Sequence, residues 1–121
     1  MKRTIFSLFL GVLICTSGNT FAQTINGIHI SQLTAEYIEI VGTAKILKPM
    51  ECIIHVDYGQ ISKMAEIQNG WVLDASGNRM SFNGMMAVVN FFNQYGYALV
   101  DAYPITETSG LVYHYVMRKE N

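Results

Sequence analysis

The 121-residue sequence predicts an α+β domain, a mainly antiparallel sheet with one helix packed on one face. Three observations predict it. Segments 37–46, 51–58, 97–103 and 111–118 alternate apolar with polar residues and are rich in Tyr, Ile, Val and Thr, as half-buried strands are. The links inside 37–58 and inside 97–118 are too short for a parallel crossover, so each pair reads as an antiparallel hairpin. Segment 81–95 alone carries a strong apolar stripe at helical spacing. The order that follows is β-β-β-(hairpin)-α-β-β.

The chain opens on a leader. Lys2 and Arg3 precede the apolar run Ile5–Ile14, and a polar stretch leads to Phe21-Ala22. That is the layout of a secretory signal peptide, with cleavage placed between Ala22 and Gln23. The run is too short to span a bilayer, which takes roughly 20 apolar residues. Cys15 follows Ile14 rather than a small residue, which weighs against lipidation. The expected mature domain is 23–121, secreted or periplasmic. Its remaining cysteine, Cys52, has no intramolecular partner and sits in an apolar run, so it reads as a small core residue.

Each element has a local reason. Residues 23–26 read as a lead-in closed by an Asn26-Gly27 turn, and 28–33 as a short strand. Tyr37–Ile46 is a strand that Lys48-Pro49 breaks, and Glu51–Tyr58 returns. Segment 59–70 fits strand and helix spacing equally. Residues 71–73 and 79–80 flank a tight polar turn, 74–78, with Gly77 at the left-handed position. The helix is expected from Ser81 to Tyr95, capped by Ser81 or Asn83 and stopped by Gly96. Its stripe is Met85, Val88, Val89, Phe92 and Tyr95. Tyr97–Tyr103 is a strand, 104–110 a turn region, and Leu111–Arg118 the last strand.

One helix covers one face of such a sheet, which leaves the other open or for a partner. Alternation assigns Ile38, Ile40, Ile54, Val56, Ala98, Val100, Ala102, Tyr115 and Met117 to the helix side. The opposite parity puts Tyr37, Glu39, His55, Asp57, Tyr97, Asp101, Tyr103 and His114 on the open face, the candidate binding surface. Tyr suits such a surface, being a flat ring with a polar tip.

Composition narrows the function. Half of the residues are hydrophobic and 14% are charged, which excludes a disordered charged tail. Without the leader, Lys+Arg falls from 8 to 6 against 9 Asp+Glu, a net charge of −3. That weighs against nucleic acid, which calls for a basic excess. No nucleophile elbow, phosphate loop, Cys-x-x-Cys or His-Glu-x-x-His occurs. No cofactor is expected and no metal site is assigned. The nearest to a metal set is His55 and Asp57 on one strand face with His114 from another.

The run Ser81–Asn90, then Gly96–Tyr103, then Val112–Lys119 resembles small secreted proteins of Bacteroidales bacteria. It is similar, more distantly, to a short strand–helix–strand–strand family of unknown function. Val89 stands where that family has Leu, and Tyr97 where it has Trp. The resemblance implies a fold and an envelope location, and no activity or site residue. Three functions are weighed. The first is a non-enzymatic binding module whose open face takes a protein, peptide or glycan. The second is a self-associating envelope protein, a homodimer through that face or a strand edge. The third is a small metal-dependent or acid–base enzyme centred on His55, Asp57 and His114.

Overall fold

The computed structural model describes residues 22–45, 47–60, 69–108 and 110–120. Residues 1–21, where the leader is expected, and residues 61–68 of the ambiguous segment lie outside the described residues. Within them lie eight strands and one α-helix: β1 Thr24–Ile25, β2 Ile28–His29, β3 Tyr37–Ala44, β4 Cys52–Asp57, β5 Val72–Leu73, β6 Ser81–Phe82, α1 Met85–Asn93, β7 Tyr97–Glu107 and β8 Gly110–Lys119. All described pairings are antiparallel. They make a five-stranded sheet, β6-β4-β3-β8-β7, and a small one, β2-β1-β5.

The hydrophobic alternation sets the register of the large sheet. Ile38, Ile40 and Gly42 on β3 pair with Met117, Tyr115 and Tyr113 on β8. On the other side Ile40 and Gly42 pair with Val56 and Ile54 on β4. Cross-strand partners share a face, so these residues form one apolar layer. Ile38, Ile40, Ile54, Val56 and Met117 are no more than 1% exposed. Helix α1 covers the layer with Met85, Val88 and Phe92. Burying a side chain of this size contributes about 1.5–3 kcal/mol. The approach is close at Gly42, where an added Cβ would collide with the Met85 side chain. The small sheet adds Ile25 and Val72 to the same core.

Five expectations are corrected. The residues read as a lead-in form β1, the middle strand of the small sheet. Asn26 (φ 52°) and Gly27 (φ 78°) turn it into β2 with two consecutive left-handed residues. Residues 30–32, placed in a strand, form a 3-10 turn.

The helix starts later than Ser81. Ser81 and Phe82 pair with Ile53 and Cys52 as an edge strand, and Gly84, at φ 95°, breaks the backbone before Met85. No side chain caps that helix start. Phe82 gains more as a core residue, edge-on to Phe91 at 5.3 Å, than it would inside the first helical turn. The stop is as expected, with Gly96 at φ 86°.

Strand β7 runs through Pro104 to Glu107, which pairs with Gly110 on β8, so most of the expected turn region is strand. An edge strand tolerates Pro when its nitrogen faces away from the ladder.

Last, β7 contains a bulge. Leu99 pairs with Met117 and Asp101 with Val116, leaving Val100 without a partner. A bulge inverts the facing of everything before it relative to everything after it. Tyr97 and Leu99 therefore belong to the core side, and Ala98 to the open side beside Arg118.

Candidate functional site

No described element covers the second face of the large sheet. Its rows follow from the register. One row reads Asp57, Glu39, Val116, Asp101 across β4, β3, β8 and β7. The next reads His55, Val41, His114, Tyr103. Tyr37 and Arg118 pair beyond the first row, and Ile53, Thr43, Val112 and Ile105 follow the second.

At the centre, three side chains from three strands meet. Glu39 Oε1 accepts from the Tyr103 hydroxyl at 2.7 Å and faces His114 Nδ1 at 2.8 Å. A carboxylate only accepts, so Nδ1 is the protonated nitrogen of this imidazole. The Tyr103 and His114 rings stack, 5.1 Å apart and 7° from parallel. His114 Nε2 is buried and has no partner among the described residues. The Tyr103 hydrogen bond, then that of His114, hold the Glu39 carboxyl below its ordinary range. The same bond to Glu39 pushes the Tyr103 hydroxyl up.

The neighbouring row is unbalanced. Glu39 and Asp57 stand directly opposite each other on adjacent strands. Like charges in that position destabilise a sheet by about 0.2–1 kcal/mol. Asp57 accepts the Gly59 N–H and Asp101 the Ala102 N–H, so both carboxylates bond only local backbone in the described structure. At the corner, Arg118 donates Nε and Nη2 to Glu36 and lies 5.5 Å from the Tyr37 ring.

Seven of the eight sequence candidates sit on this face, and the structure joins Glu39, Tyr103 and His114. Tyr97 is the exception. It is 1% exposed, packs against Phe92, and donates its hydroxyl to the Ala35 carbonyl at 2.6 Å. The bulge puts it there. His55 and His114 flank Val41 from opposite sides, two strand spacings or about 9.5 Å apart. Among the described residues no group of three His, Cys, Asp or Glu is placed to hold a metal.

The sequence reading missed Trp71. It pairs with His55 across the backbone and carries the Arg79 guanidinium 3.9 Å from its ring. Burial lowers the Arg79 pKa. Trp71 thus extends the His55 row at the β4 side. A lone Trp directly after Asn69-Gly70 was the available signal.

The fold and this face define an antiparallel α+β domain with an exposed, aromatic and acidic sheet surface. Comparison with known protein families, with curated proteins and with solved structures gives no match. Among the described residues, no helix is long and apolar enough to cross a membrane.

Proposed function

We propose that the protein is a non-enzymatic secreted or periplasmic binding module, and that its open sheet face takes a peptide or protein segment carrying a basic side chain. The observation that carries this reading is the opposed pair Asp57 and Glu39 beside the stacked Tyr103 and His114. A sheet selected for stability alone would not set two carboxylates opposite each other. A lysine or arginine placed between them relieves that repulsion, and the Tyr103 ring offers its stem a flat apolar wall. Glu39 is already oriented by two hydrogen bonds, so little ordering is left to do on binding.

The test is an NMR titration with a library of short basic, acidic and neutral peptides, and with oligosaccharides as a second arm. The expected outcome is selective perturbation of residues 39, 57, 101, 103 and 114 by basic peptides, weakened by salt. Equal response to acidic peptides overturns it, and a response to sugars alone moves the ligand to the glycan class.

A further inference from the structure

We propose that the cleft at the Lys45 end of the large sheet binds a single-chain amphiphile with one anionic head, of the fatty-acid class. The site is separate from the Tyr103 cluster and does not depend on its reading. The cleft has a volume of about 1070 Å³, just above the usual range for small-molecule sites. Ile53, Thr43 and Val112 from three adjacent strands meet Leu111 and Leu47 around it. Leu47 is 93% exposed and Leu111 45%, so its rim is apolar surface left in water.

Two features select the ligand. The first is the scarcity of polar groups in the walls, where Thr43, Lys45 and Tyr113 supply the side-chain hydrogen-bonding capacity. A peptide backbone laid here would leave N–H and C=O groups unpaired, whereas a hydrocarbon tail carries none. The second is charge. Lys45 and Lys48 share a single carboxylate, Glu51, at 3.0 and 3.5 Å. Lys45 lines the cleft and Lys48 does not, and the three groups together leave one net positive charge beside it, which suits one anionic head. Glu107 stands across the β7–β8 hairpin from Gly110 and is not part of the lining. Its charge favours a single buried tail over adhesion to an anionic bilayer. The smaller cleft of about 350 Å³ on the opposite side, around Met50, Cys52 and Met86, has no charged lining residue and lacks this pairing of tail and head.

Calorimetric titration of the purified protein with octanoate, decanoate and decan-1-ol, all below their aggregation limits, tests the proposal. Decanoate is expected to bind one per chain. Octanoate is expected to be roughly tenfold weaker for its two lost methylenes, and decanol several-fold weaker for its missing charge. The double variant Lys45→Met, Lys48→Met should abolish the difference between decanoate and decanol. Leu111→Asp, at an exposed position, should weaken decanoate at least tenfold with an unchanged thermal midpoint, and Tyr103→Ala should leave the titration as it was. No heat with decanoate, no chain-length dependence, or decanol equal to decanoate on the unmodified protein overturns it. So does co-sedimentation with phosphatidylglycerol vesicles without decanoate binding, which assigns the cleft to a lipid surface.

Discussion

Glu39 is the residue on which most of the open face turns, and its two hydrogen bonds make it sensitive to pH in both directions. Its carboxyl is held down in the folded state, so the stability it contributes is present above its unfolded pKa and is lost as pH falls through the folded value. Tyr103 has the opposite sign. Its raised hydroxyl contributes below the unfolded value and loses that contribution as pH rises through the folded one. Thermal midpoints from acid to strongly basic pH should therefore fall less steeply at both extremes in Tyr103→Phe than in the unmodified protein. A carboxyl NMR titration of that variant should find Glu39 moved up toward the ordinary carboxylate range. Asp57→Asn should stabilise the fold by a few tenths of a kcal/mol up to about 1 kcal/mol in chemical denaturation, because it removes the like-charge pair. It should weaken binding of basic peptides at the same time. In the core, Tyr97→Phe should cost about 1 kcal/mol for the lost bond to Ala35. Phe92→Ala should cost about 3–5 kcal/mol for the cavity it leaves. Of these residues, Glu39 and Asp57 were legible in the sequence, since each lies in a strand with unbroken alternation. Tyr97 was not, because alternation carries no mark of a bulge.

Among the elements, β7 stands at the sheet edge and is eleven residues long, the kind of strand that recruits further chains. It is guarded. The Ala102 N–H is taken by the Asp101 carboxylate, and two residues on Pro104 has no N–H to offer. These positions share a parity, so two successive outward donors are removed, and the Val100 bulge adds twist. A homodimer through this edge is thereby disfavoured. The double variant Asp101→Ala, Pro104→Val should restore both donors and produce concentration-dependent dimers or larger species in sedimentation velocity, with the unmodified protein unaffected. The same elements mark the limits of reading the sequence. Pro104 signals a break in any local reading, yet an outward-facing position in an edge strand accommodates it. Ser81 before an apolar run looks like a helix cap, and only the partners Ile53 and Cys52 make it a strand. The hairpins β3–β4 and β7–β8 were legible because their pairing is local. The β3–β8 contact, which brings Glu39 to His114 and Tyr103, joins segments some 75 residues apart, and no short-range pattern encodes it.

At the scale of the whole molecule, the layers divide the work. The helix and the small sheet seal one side of the large sheet, and the other side is left to carry polarity. That side is graded along the strands. Carboxylates stand near the Tyr37 end, the half-buried Val41 and Ile53 in the middle, and Lys45 and Lys48 at the far end. The two proposals occupy opposite ends of that gradient, so variants at Tyr103 and Leu111 should act independently when combined, within about 0.5 kcal/mol in the summed effects on stability. Val100 works as a parity bit in β7: odd-numbered positions face the core before it and the open face after it. Deleting Val100 would make Leu99 and Asp101 neighbours opposite Met117 and Val116, so Tyr103 would stay beside His114 and only the local twist would be lost. A chain one residue shorter at this point should therefore display the same face, with an alternation that runs unbroken through the strand.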